Sequence, residues 1–137
     1  MARAHTAYLT RSTVPARKAL QAAIDALKFK LTLDDGYAPF ETSGYLPCTL
    51  DGEDAGFDLR FADVEADAPP NLAAALEGRD AAMKIRWSGD LREQLAALVV
   101  SLALAETFGA ILHDADTDKI LTAKSLQTQA RNLAEEM

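Results

Sequence analysis

The sequence predicts an α+β domain in which a mainly antiparallel sheet packs on one buried central helix, with an amphipathic helix at each end. Three observations predict this class. Apolar residues recur at helical spacing over residues 14–28, 91–108 and from 123 onward. Between these segments they recur at every second residue, as in half-buried strands. The middle helical segment is apolar almost all round, which is typical of a buried helix. The length of 137 residues suits a single domain.

The first third of the chain predicts one helix and a loop. Residues 1–13 show no clear periodicity, so we expect a loose N-terminal arm or a short edge element. Thr13 is a favourable N-cap residue, and Pro15 is tolerated in a first turn. A helix over 14–28 is predicted by the spacing of Leu20, Ala23, Ile24, Leu27 and Leu31. A loop containing Gly and Pro follows through residue 44.

The segment 45–61 predicts a β-hairpin. Two runs alternate in polarity on either side of the turn-rich connector 51–56, and their apolar positions are Leu46, Cys48, Leu50, Phe57, Leu59 and Phe61. Pro47 cannot donate to a ladder, so the first strand is expected to be at a sheet edge or to begin there.

The remainder predicts a short helix across Leu72–Glu77, a strand around Ile85 with apolar and basic faces, and a long helix over 91–108. Asp90 and Glu93 have the spacing of a capping box, and Gly109 is placed to end the helix. A second hairpin, formed by Ala110–His113 and Lys119–Leu121 around an Asp-rich turn, and a helix from residue 123 complete the chain.

Composition restricts the compartment and the partners. Cys48 is a lone cysteine, which fits a reducing compartment, and no secretory signal or membrane-spanning stretch is evident, so we expect a cytoplasmic protein. The net charge of −7 argues against nucleic acid or an anionic membrane as the main partner. The two cations Lys84 and Arg86 alone are more typical of a solvated strand face than of a nucleic-acid platform.

No cofactor, metal or catalytic residue is predicted. Asp114, Asp116 and Asp118 resemble half of a calcium loop, but Lys119 replaces the required Gly and Ser125 the required Glu, which favours a simple hairpin turn. Cys48, His113 and Asp114 are the residue types of a nucleophilic enzyme, which stays open as a third hypothesis; the position of Cys48 among apolar residues favours a core thiol. One Cys and two distant His cannot supply the clustered ligands of a zinc site, and the common phosphate-binding loops are absent from the sequence.

Charge is segregated along the chain. Residues 1–33 carry a net charge of +5, residues 34–67 a net of −9 and the remainder a net of −3. An acidic, solvated loop is one interpretation. The other is an anionic hairpin surface that steers a cationic partner toward it. The predicted partner-binding residues are Asp34, Asp35, Glu41, Asp51, Glu53, Asp54, Asp58 and Asp63.

The second half of the chain resembles a known family. The run Ile85-Arg86-Trp87-Ser88-Gly89-Asp90, the Ala/Leu-rich helix that ends at Phe108-Gly109, the following strand to Asp114 and the last helix look similar to small bacterial immunity proteins of contact-dependent inhibition and type VI secretion systems. The preceding hairpin fits the same pattern, so the resemblance covers about residues 44–135.

The resemblance implies a non-catalytic protein that binds a cognate toxin and blocks its active site. The charge pattern adds the hypothesis that an acidic hairpin fills the basic cleft of a nuclease toxin. The alternative is a small acidic chaperone of the type III secretion kind, with which size, charge and a mixture of helices and strands are compatible, although the long buried helix precedes the last hairpin. A monomer would favour the immunity protein, and an obligate symmetric dimer the chaperone.

Overall fold

A computed structural model describes residues 3–64, 72, 76, 78–114 and 116–136 of the chain. Within them it has an α+β fold with three helices and one seven-stranded sheet. The strands are β1 (Arg3–Leu9), β2 (Leu31–Leu33), β3 (Ser43–Leu50), β4 (Glu53–Asp63), β5 (Ala81–Trp87), β6 (Ile111–Asp114) and β7 (Lys119–Leu121). The helices are α1 (Arg17–Ala26), α2 (Leu91–Phe108) and α3 (Ala123–Glu136).

The sheet is antiparallel throughout, in the order β2-β3-β4-β5-β1-β6-β7. The predicted fold class is therefore confirmed. Helix α2 contacts five strands and both other helices, and every residue from Leu95 to Leu104 is buried. No helix in the described part of the chain combines the length and the hydrophobicity that crossing a bilayer requires.

The expectation of a loose arm or edge element at residues 1–13 is wrong. Strand β1 is an interior strand, paired along its length with β5 and over four residues with β6. His5, Ala7 and Leu9 point toward the helices and are buried. Backbone pairing on both sides holds the strand inside the sheet although it has few large apolar residues.

Helix α1 is shorter than predicted. It begins after Ala16, whose side chain makes no capping hydrogen bond, so the predicted cap at Thr13 is not formed. Thr13 instead ends a short 3-10 turn, Arg11–Thr13. Leu31 belongs to β2 and not to the helix, because the chain leaves the helix at Leu27 and Lys28 adopts a positive φ of 69°.

The predicted hairpins are confirmed. In the first, β3 pairs with β4 from Ser43 opposite Arg60 to Leu50 opposite Glu53. Strand β3 is not the edge strand, because β2 lies outside it, but the pairing with β2 stops at Cys48. The carbonyl of Pro47 faces that side, where it accepts from Asp34 N at 3.2 Å, so the proline nitrogen lies beyond the paired stretch.

The capping of α2 is confirmed in one of its two parts. Asp90 accepts from the N–H groups of Arg92 and Glu93, and Gly109 ends the helix in the left-handed region. Glu93 does not return to Asp90; its carboxylate accepts from the Ser88 hydroxyl at 2.7 Å. For the helix predicted at Leu72–Glu77, only Leu72 and Leu76 lie within the described residues, and both are helical and buried.

Candidate binding surface

Alternation along the strands gives the sheet two faces. The covered face packs against the helices and carries the core side chains of each strand, such as Leu59 and Ile85. The opposite face, from β2 to β5, is here called the exposed face. Its side chains are Thr32, Ser43, Tyr45, Pro47, Thr49, Asp54, Asp58, Arg60, Ala62, Ala82, Lys84 and Arg86, all but Ala82 at least partly exposed. This face therefore carries charges of both signs on β4 and β5.

The eight predicted acidic residues do not form one continuous anionic surface. Glu41 and Asp63 lie toward one end of the sheet, beside Ser43 and Ala81, whereas Asp51 and Glu53 lie at the other end in the β3–β4 turn. Five of the eight form ion pairs with cations that lie close by in the fold: Asp35 with Arg17, Asp51 with Lys30, Glu53 with Arg92, Asp58 with Arg60, and Asp63 with Arg11.

Three of the acids share a groove. Asp34 and Asp35, just after β2, and Asp54, on β4, line a cleft of about 290 Å³ together with Arg17, Pro47 and Thr49. Asp54 has no ion-pair partner within the described residues, Asp35 pairs with Arg17 at 3.5 Å, and Asp34 accepts from Gly36 N. With three carboxylates and one guanidinium, these charged groups carry a net of −2. This set is called the acidic groove below.

Helix α1 closes the sheet edge beside this groove. Arg17 donates to the carbonyls of Leu33 and Asp34, at 2.6 and 3.1 Å. Gln21 donates to the carbonyl of Leu31 and accepts from Leu33 N, both at 2.8 Å. The outer backbone groups of β2 are therefore satisfied by side chains, so this edge is closed to a further strand.

An exposed aromatic side chain is held in place on the same face. Tyr45 is 57% exposed, yet its hydroxyl donates to Ala55 O at 3.3 Å and lies 3.4 Å from the Glu93 carboxylate. A Cβ at Gly56 would lie 2.5 Å from that hydroxyl, so only glycine fits beneath the ring. Burial and the Glu93 charge raise the pKa of Tyr45. An immobilised, exposed tyrosine is typical of protein interfaces.

A second cleft, of about 430 Å³, continues from Tyr45 toward the start of α2. It is lined by Phe57, Asp58, Arg86, Trp87, Ser88 and Glu93. It forms because β5 ends at Trp87 while β4 continues along β3. The cleft joins apolar walls to a few charged groups, and it opens on the exposed face.

The structure separates the residues of the enzyme hypothesis. Cys48 points to the covered face from β3, whereas His113 points to the opposite face from β6. Four strand spacings lie between them, or about 19 Å. Burial raises the pKa of the Cys48 thiol to about 12, opposite to what a nucleophile needs. His113 is instead bonded to Asp118 at 2.8 Å.

Carboxylates of the Asp-rich turn accept hydrogen bonds from backbone N–H groups of the protein. Asp114 accepts from the N–H groups of Asp116 and Thr117, and Asp116 accepts from Ala4 N at 3.2 Å. Burial alone would raise the pKa of Asp114, but these hydrogen bonds bring it below the ordinary value. Within the described residues no group of three His, Cys, Asp or Glu side chains is placed to hold a metal ion.

Buried polar groups lie on the covered face near this turn. His5 Nδ1 and Ser101 Oγ share a hydrogen bond of 3.2 Å, and the imidazole meets the Trp87 ring edge-on at 4.8 Å between centroids. Burial lowers the pKa of His5 to about 4, so the ring is neutral at physiological pH. His5 thus serves as a satisfied core residue.

Comparisons with protein-family models, curated proteins and solved structures each find no match. The candidate site therefore rests on its own geometry.

Proposed function

We propose that the protein is a non-catalytic cytoplasmic immunity protein, which binds a cognate protein toxin through the exposed face and blocks its active site. The observation that carries the proposal is the acidic groove, in which Asp34, Asp35 and Asp54 converge from separate segments of the chain. Such a groove is complementary to a cationic protrusion or cleft on a protein partner.

The neighbourhood of the groove suits protein binding. Tyr45 is an exposed aromatic side chain two residue rows along the sheet from Asp54. Because it is already held in place, less entropy is lost when a partner buries it. The closed β2 edge leaves side chains, and not free backbone, as the recognition elements here. A nuclease domain with a basic active-site cleft is the toxin class that this charge fits best.

Neutralising the groove tests the proposal. The variant D34N/D35N/D54N keeps the shape and hydrogen-bonding capacity of the side chains but removes three charges. The matched control E106Q/E135Q/E136Q removes three exposed helix charges and has the same net charge. Binding of each to the toxin domain encoded beside the gene is measured by calorimetry, at two salt concentrations.

We expect the groove variant to bind about tenfold or more weakly and to lose most of the salt dependence, while the control binds like the wild type. Equal weakening of both variants would mean that net charge alone acts, and it would contradict a role for the groove. A wild type that fails to bind the neighbouring toxin domain would contradict the proposed function itself.

A further inference from the structure

The centre of the exposed face is basic, although the protein is acidic. Arg60, the only cation in the segment 34–67, lies directly opposite Lys84 in the β4–β5 register. The next row on this face places Asp58 opposite Arg86. Arg60, Lys84 and Arg86 are called the basic block below. All three are exposed, and they occupy a patch about 5 Å across the strands and 7 Å along them.

The charges of this block are only partly compensated. The Asp58 carboxylate is taken by Arg60, with Nε 3.0 Å from Oδ1. Lys84 and Arg86 make no ion pair or hydrogen bond with any side chain that the structure describes. Like charges directly opposite one another on a sheet are destabilising, so folding gains nothing from placing Arg60 against Lys84.

The residues around the block leave it accessible. On β1, the side chains opposite Lys84 and Arg86 are those of Thr6 and Ala4, which are small. On β3, Ser43 lies opposite Arg60. Lys84 and Arg86, each exposed and beside a small residue on β1, can both reach a ligand on the surface of the sheet.

We propose that the basic block docks an acidic segment of the protein partner, so that the partner's interface carries both signs of charge. This inference rests on the proposed function for the existence of the partner. It deepens that function, because the acidic groove and the basic block on one face together require a partner with a basic and an acidic element in matching positions.

Nucleic acid fits the block less well than an acidic protein segment does. A phosphate backbone carries charge continuously, so a strand lying on the block would also run over Asp54, Asp58 or Glu93. The carboxylates of a peptide are separate charges, so an acidic segment can place them on the block alone. The adjoining cleft offers Phe57 and Trp87 as apolar walls beside the Glu93 carboxylate, which favours an apolar side chain next to the acidic ones.

The test uses the full chain and two probes. A dye-labelled peptide of Glu and Leu residues and a single-stranded oligonucleotide of equal negative charge are titrated and followed by fluorescence anisotropy. The variant K84E/R86E is compared with K124E/R131E, which reverses two exposed cations on α3. Circular dichroism checks that both variants fold.

We expect the peptide to bind more tightly than the oligonucleotide, and K84E/R86E to weaken peptide binding about tenfold while K124E/R131E leaves it unchanged. Absence of peptide binding, or equal loss in both variants, would overturn the inference. Tighter binding of the oligonucleotide would overturn it in favour of nucleic acid.

The toxin domain separates this inference from the proposed function. If the wild type binds the domain and K84E/R86E binds it equally well, the basic block has no role while the proposed function stands. If the wild type does not bind the domain at all, the proposed function fails, and the peptide titration still decides whether the block takes acidic segments.

Discussion

The two faces of the sheet differ in the number of charged side chains that they carry. The covered face buries few polar groups, and its His5 and Ser101 form a neutral, hydrogen-bonded pair. The exposed face holds charges of both signs, and two of its cations have no counter-ion in the described part of the chain. Stability therefore resides mainly on one face, whereas the side chains available for recognition lie on the other.

Substitutions of two adjacent residues on β5 should give the largest difference in stability between the two faces. Ile85 is fully buried against the helices, and Lys84 points to the exposed face. Ile85→Ala should lower the free energy of unfolding by about 2–5 kcal/mol, because it leaves a cavity in a packed core. Lys84→Ala should change it by no more than about 0.5 kcal/mol. Urea denaturation measures both, and similar losses would contradict the division of roles.

The neutral state of His5 predicts a pH dependence. Its pKa is about 4 in the folded protein, mainly through burial, against an ordinary value of 6.5. At pH values between these two, His5 is protonated in the unfolded chain but not in the folded protein. The contribution of the neutral His5 to stability is therefore complete above pH 6.5 and is lost as the pH falls toward 4. The gap between the two pKa values corresponds to about 3 kcal/mol.

The variant His5→Gln isolates this effect, because an amide can still bond to Ser101 but does not titrate. Chemical denaturation of both proteins at pH 7, 5.5 and 4 gives the comparison. The difference between wild type and variant should narrow or reverse in favour of the variant as the pH falls. A difference that stays constant across this range would show that His5 titrates alike in both states.

A smaller effect is expected at the closed edge of the sheet. R17A/Q21A removes the side-chain bonds to the outer backbone groups of β2. We expect a loss of about 1–3 kcal/mol in the free energy of unfolding, together with self-association through the opened edge. K18A, an exposed change on the same helix, is the control. A variant that stays monomeric and as stable as K18A would show that these bonds do not close the edge.

Cys48 should not react with an alkylating reagent in the native state. Its thiol is buried on the covered face, with a pKa of about 12. Iodoacetamide should leave the folded protein unmodified at pH 8 and alkylate it in urea, as mass spectrometry would show. Rapid modification of the native protein would reopen the hypothesis of a cysteine-dependent enzyme.

Local patterns predicted most of the fold but not the neighbours of each element. Met83, Ile85 and Trp87 alternate so clearly that the faces of β5 follow from sequence. Strand β1 escaped prediction because His5 and Ala7 are weak core signals, and its partners lie about eighty and a hundred residues away. Strand β2 has only three residues, too few for a period to be evident.

The candidate site was predictable only in part, for the same reason. The acidic character of residues 34–67 is visible in the sequence, but the pairing of Glu53 with Arg92 and of Asp63 with Arg11 depends on the fold. Arg60 reads as an isolated cation in an acidic run, and Lys84 with Arg86 as an ordinary strand face. Only the β4–β5 register brings the three together.

The claim that the exposed face is the binding surface is tested most directly by NMR. The isotope-labelled 14.7 kDa protein is titrated with the unlabelled toxin domain. We predict that the largest amide shift changes fall on the exposed-face residues Thr49, Asp54, Lys84 and Arg86, while those of α3 stay unchanged. Changes confined to α3 or to β7, with these four residues unaffected, would contradict the assignment of the binding surface.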